Sequence, residues 1–157
     1  MAYLVKMTED TFQQWLAPFI LKYAQDHVEN GRWSAQDAEK LSAEEIKQVI
    51  PDGLSTKDQY FYSIVAEETG QSVGMLWFGM RQRRGGEQTV YVYQIEIDEP
   101  FRRSGYATQA FREMEKIVQV LGVHEIGLHT FGSKHAARAM YEKLGYEITN
   151  IQMVKKL

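Results

Sequence analysis

The feature that most constrains this chain is a change of hydrophobic period near residue 60. Before it, Phe12, Trp15, Leu16, Phe19 and Tyr23 recur at three and four, the spacing of one helical face. After it, β-branched and aromatic residues fill Phe61–Ala66, Val73–Met80 and Thr89–Ile97, separated by the turns Glu68-Thr69-Gly70-Gln71 and Arg84-Gly85-Gly86-Glu87. Strands joined this closely make an antiparallel meander. The helical period then returns over 108–121, with Phe111, Met114, Ile117, Val118 and Leu121 inward and Gly122 closing the helix. A strand over 124–131, a helix over 136–144 capped by Gly145, and a last strand over 146–154 complete the order. Such an order gives a mixed α/β sheet, mostly antiparallel, with one crossover and parallel pairing around the strand at 124–131.

The first 60 residues are read from their punctuation. Tyr3–Met7 is a short strand, and Thr8-Glu9-Asp10 opens a helix with Asp10 and Gln13 placed as a capping pair. Pro18 is expected to kink that helix and Asn30-Gly31 to end it. Ser34 starts a second short helix, and Ser42 with Glu45 makes a capping box for a third that stops before Pro51.

With 157 residues, 44% of them hydrophobic, and no repeat or linker, the chain is expected to be one domain with a sizeable core. The absence of cysteine excludes disulfide scaffolds, zinc ribbons and thiol chemistry, including an acyl-cysteine intermediate. Met1 to Lys6 lacks the apolar run of a signal peptide, and no stretch reaches the roughly 18–20 apolar residues that span a bilayer. A soluble, cytoplasmic protein without a membrane partner is expected. Residues 1–70 hold 6 Lys and Arg against 12 Asp and Glu, and the remainder 12 against 9. The split fits either differently charged partners for the two halves or unevenly solvated surfaces. Arg81-Gln82-Arg83-Arg84 is too short and too Gly-flanked to argue for nucleic acid, which the net charge of −3 also disfavours.

Arg102-Arg103-Ser104-Gly105-Tyr106-Ala107 joins a strand end to a helix start. Small residues there let backbone approach a ligand, and the free amides of a first helical turn suit a phosphate or pyrophosphate. Two arginines add charge-assisted contacts. The loop reads equally well as an ordinary βα turn. No phosphate-binding G-x-x-x-x-G-K-[ST], dinucleotide G-x-G-x-x-G or hydrolase G-x-S-x-G is present. His27, His124, His129 and His135 lack a metal-ligand spacing, so no metal is expected.

Two segments resemble the GCN5-related N-acetyltransferases. The family's Arg/Gln-x-x-Gly-x-Gly/Ala signature is similar to Arg102-x-x-Gly105-x-Ala107, preceded by Ile95-Glu96-Ile97-Asp98 as its entering strand. The family's Ala-x-x-Leu-Tyr-x-x-x-Gly-Phe helix resembles Ala137 to Tyr146. The resemblance covers roughly residues 89–146. It implies a splayed parallel strand pair, here 89–97 and 124–131, helices on both sheet faces, an acetyl-CoA-binding core over 89–146, and variable acceptor-side helices over 1–60. It further implies that backbone of Ile95 and Ile97 pairs with the pantetheine amides and that amides of Arg103, Ser104, Gly105, Tyr106, Ala107 and Thr108 hold the pyrophosphate, assisted by donors at Arg102 and Arg103. Tyr141 falls where the family places a tyrosine that protonates departing CoA, and the alternative for it is a buried aromatic. Lys134 stands where the family usually has an asparagine that contacts the cofactor, and reads either as a ligand contact or as a solvated lysine.

Direct transfer requires a neutral amine, and so a base. His129 and Glu96 are the two candidates, on the two arms of the splay, each with a plain structural alternative. The acceptor is a small-molecule or peptide amine. Trp15, Phe19, Tyr23 and Trp33 either receive a cation or form core. The resemblance implies an N-acetyltransferase working in a ternary complex, against the alternative of a non-catalytic acyl-CoA sensor. It leaves a homodimer open.

Overall fold

The computed structural model describes residues 1–157. In chain order the elements are β1 (Ala2–Lys6), α1 (Glu9–Glu29), α2 (Ala38–Val49), β2 (Gln59–Ala66), β3 (Ser72–Gln82), β4 (Gln88–Ile97), α3 (Tyr106–Val120), β5 (Ile126–Leu128) and α4 (His135–Lys143). The five strands form one sheet in the order β1-β2-β3-β4-β5. All neighbours are antiparallel except β4 and β5, which are parallel across the α3 crossover. The mixed sheet expected from the change of period is therefore present.

Both faces are covered. On one, α3 places Ala110, Phe111, Met114 and Val118 against Ile64, Leu76, Phe78, Val90 and Val92. On the other, α1 and α2 place Phe12, Phe19, Ile46 and Ile50 against Phe61, Met75 and Trp77. Trp77 stacks between Phe61 (centroids 5.1 Å apart) and Tyr93 (4.5 Å). Trp15 and Phe19 lie in this second cluster. The aromatic stripe of α1 is thus core rather than a cation receptor, because its period is the one that presses on the sheet.

Several local expectations are corrected. Thr8, not Asp10, caps α1: its hydroxyl accepts from the Thr11 amide at 3.2 Å, and Gln13 instead donates to Glu9. α1 is one helix of 21 residues that contains Pro18 and ends, as expected, at Asn30. Two short helices at 34 and 42 are replaced by the single α2. Ser34 sits in the turn before it, and Ser42 lies mid-helix, fully buried, donating to the Ile20 carbonyl at 2.7 Å. A serine beside another helix's carbonyl gains more there than at a solvent-facing cap. Leu121 lies at the exposed end of α3 while Ala110 and Val123 fill the core.

The last expected strand does not form: residues 146–157 carry no regular structure, and Ile148, Ile151, Met153 and Val154 are exposed. β5 is likewise only three residues long instead of the eight expected. So short an edge offers too little backbone to pair with a following strand.

Candidate active site

The site starts from a defect in β4. Phe78 pairs with Val92 but the preceding Trp77 pairs with Gln94, leaving Tyr93 as an extra residue. A bulge of this kind bends its strand and increases the local twist. Pairing with β5 is confined to Val90, Tyr91 and Val92, so residues 93–97 have no partner on that side. The bulge also sets facing. Ile95 and Ile97 pack toward the α3-side core, while Glu96 turns to the α1 side. At Gly74, opposite Ile97, an added Cβ would run into the Glu96 backbone, so the residue's bareness fixes how closely β3 supports this stretch.

The unpaired stretch of β4 lines a cleft of about 580 Å³ with Lys22, Arg102 and the start of α4, Ser133–Ala137. Among the expected residues, the cleft brings together Ile95, Glu96, Ile97, Arg102 and Lys134. Glu96 is held on three sides: Lys22 Nζ lies 2.9 Å from Oε1, Gln94 donates to Oε2 at 3.3 Å, and the Arg102 guanidinium stands at 3.9 Å. Arg102 folds back on the strand, its Nε donating to the Ile97 carbonyl at 2.9 Å. Desolvation, with the neighbouring Glu96 charge, raises the Asp98 carboxyl above its ordinary range against the pull of Arg102.

At the end of β4 a short 3₁₀ turn over Glu99–Phe101 leads into the loop before α3. Arg103 (φ 60°) and Gly105 (φ 83°) are both left-handed, flanking Ser104. A non-glycine residue held there costs of order 1–3 kcal/mol, which the rest of the fold must sustain. No side chain caps α3, so its first-turn amides, Tyr106 to Thr108, are left for an external acceptor. Turns with left-handed residues before a helix start direct successive N–H groups at anions.

The remaining expected residues lie outside the cleft. Tyr141 is one turn along α4 from Ala137, half-buried, with its ring 5.6 Å from Phe111 and 6.0 Å from Tyr146. Burial holds its phenol above the ordinary tyrosine range. His129 lies beyond the end of β5, exposed, with its ring 5.3 Å from Phe131. Phe131 in turn touches buried His27, packed between Tyr23 (4.4 Å) and Trp33 (4.6 Å). Arg32 clamps Glu45 at 3.1 and 3.0 Å, accounting for that carboxylate within the fold.

Lys22, Ser133, His135 and Ala136 were not picked out as cleft residues by sequence reasoning. Lys22 occupies an ordinary polar position of an amphipathic helix, and its partner is 74 residues away. No three or more His, Cys, Asp or Glu side chains gather as a metal site, and no helix is long and apolar enough to cross a membrane.

A parallel pair that parts beside an uncapped helix start, within this element order, defines a mixed α/β fold with an open cleft at the splay. The family model for the acetyltransferase (GNAT) family matches residues 17–146, and the chain belongs to that family. It is 30% identical over 154 residues to YycN of Bacillus subtilis (strain 168), named an uncharacterized N-acetyltransferase, covering 98% of this chain and 97% of the relative. The crystal structure of YycN superposes with a TM-score of 0.88 at 30% identity, covering 100% of this chain and 99% of that one. The aminoglycoside antibiotic 6'-N-acetyltransferase of Acinetobacter baumannii shares the fold at a TM-score of 0.64 and 19% identity, covering 100% and 98% of the two chains.

Proposed function

We propose that this chain, acting as one domain, is an acetyl-CoA-dependent N-acetyltransferase that acetylates a primary amine by direct attack in a ternary complex. The observation that carries the reading is the unpaired edge of β4 at residues 93–97, which lines a cleft running to the start of α4. Free backbone N–H and C=O groups along such an edge accept an extended, amide-bearing ligand as a further strand. The left-handed turn and uncapped start of α3 fit its pyrophosphate. Bound acetyl-CoA would supply the acetyl group as an activated thioester.

In this reading Ile95 and Ile97 hold the pantetheine arm by backbone bonds, although Arg102 must release the Ile97 carbonyl for it to serve. Arg103, Ser104, Gly105, Tyr106, Ala107 and Thr108 hold the phosphates, and Lys134 contacts the ligand from the start of α4. Glu96 accepts the amine proton, directly or through water, with His129, just past the end of β5, as the second candidate base. Tyr141, kept protonated by burial, donates to the leaving thiolate. The acceptor enters from the α1–α2 side, residues 1–60. Relatives named for aminoglycoside acetylation support a polyamine or amino-sugar among the compounds to screen.

Thermal unfolding tests the cofactor site. Acetyl-CoA and CoA at about 100 times Kd should each stabilise the fold by about 2.7 kcal/mol. No shift at millimolar ligand would leave the loop at 102–107 a turn and end the reading. A shift without turnover across an amine panel would favour the acyl-CoA sensor.

A further inference from the structure

The cleft already contains a primary amine. Lys22 Nζ, projecting from α1, stands 2.9 Å from Glu96 Oε1 and lines the same wall as Ile95 and Ile97. It thus sits on the candidate base where an acceptor's amine must arrive. Lys134 also lines the cleft but pairs with no carboxylate. Lys22 retains 47% side-chain exposure, and ion pairs this open are weak, so Nζ is held near Glu96 without being locked there.

We propose that Lys22 is a self-acetylation site of this chain, resting on the acetyltransferase reading above. Nζ gives its proton to the Glu96 carboxylate and attacks the thioester carbonyl. The N–C bond forms, the C–S bond breaks, and CoA departs as the thiol with a proton from Tyr141 or solvent; the nitrogen's second proton goes to solvent or back to Tyr141, and Glu96 releases the first to solvent. The product is a neutral amide that cannot pair with Glu96 as an ammonium does. Modification therefore frees the carboxylate for an external amine, and the chain's own lysine acts as the first acceptor.

The purified chain is incubated with acetyl-CoA, without added amine, and mapped by peptide mass spectrometry, with thermal unfolding in the same samples. Lys22 should gain one acetyl group, about 42 Da, at least about tenfold faster than any other lysine, at a rate independent of protein concentration. Glu96→Gln should slow it by about tenfold or more, and Lys22→Arg should leave no selectively labelled lysine. Without any acetyl donor, reductively ¹³C-methylated Lys22 should show a resonance that moves in Glu96→Gln. Labelling no faster than at other lysines, while acetyl-CoA still shifts the melting temperature, overturns this inference and leaves the acetyltransferase reading standing. Absence of both labelling and thermal shift overturns both. Selective labelling that persists in Glu96→Gln, or a Lys22 resonance that does not move, shows that the ion pair does not select Lys22 and overturns the inference as well.

Discussion

Glu96 and His129 carry the same chemical promise and occupy different surroundings. Glu96 faces the cleft under two cations, whereas His129 is exposed beyond the end of a three-residue strand. A base must be deprotonated to act, so its loss removes the fall in rate on the acid side. His129→Ala should lower kcat/KM by about 10²–10⁴-fold without weakening acetyl-CoA binding if His129 is the base. An unchanged pH–rate profile in that variant would leave Glu96 alone in the role, and Glu96→Gln should then lose the acid limb. Glu96 was legible as a residue of the first arm, whereas His129, expected within the second, falls just past its end because β5 stops at Leu128. What surrounds Glu96 was not legible, because Lys22 comes from another helix and Gln94 reaches it only through the bulge at Tyr93.

Among the elements, the turn into α3 and the bulged β4 matter most. Gly105 caps α3 at φ 83°, a conformation that costs a side-chain-bearing residue about 1–2 kcal/mol. Gly105→Val should therefore lower the melting temperature by about 2–8 °C and weaken acetyl-CoA binding. Calorimetry and titration on one preparation check both, and an unaltered Kd beside a lowered melting temperature would remove this turn from the ligand site. Element types were readable because the periods of 3.6 and 2 are strong over α1, α3 and β2 to β4. Ends were not: Ser42 has the local look of a cap and is taken by the Ile20 carbonyl of a packed neighbour. The strand expected over 146–154 has apolar residues enough but lacks a sheet edge to join, since β5 spans only Ile126–Leu128.

For the whole molecule, two cores share one sheet, and His27 ties α1 to the segment after β5 through Phe131. Burial first, then Arg32, holds its imidazole below the ordinary histidine range. The unfolded chain then takes up this proton before the folded one does. The contribution is complete above about pH 6.5, the unfolded value, and is lost as pH falls below it. His27→Phe should accordingly flatten the decline in melting temperature between about pH 7 and 5, and an unchanged slope would show that His27 takes up its proton equally in the folded and unfolded chain. By itself the sequence determined most of the element order, the mixed sheet and the turn into α3, because each is encoded in local period or in contiguous residue types. Tertiary structure alone decided how far β5 pairs, which way Glu96 faces and that Lys22 meets it, because these depend on a bulge and on contacts between residues far apart in the chain.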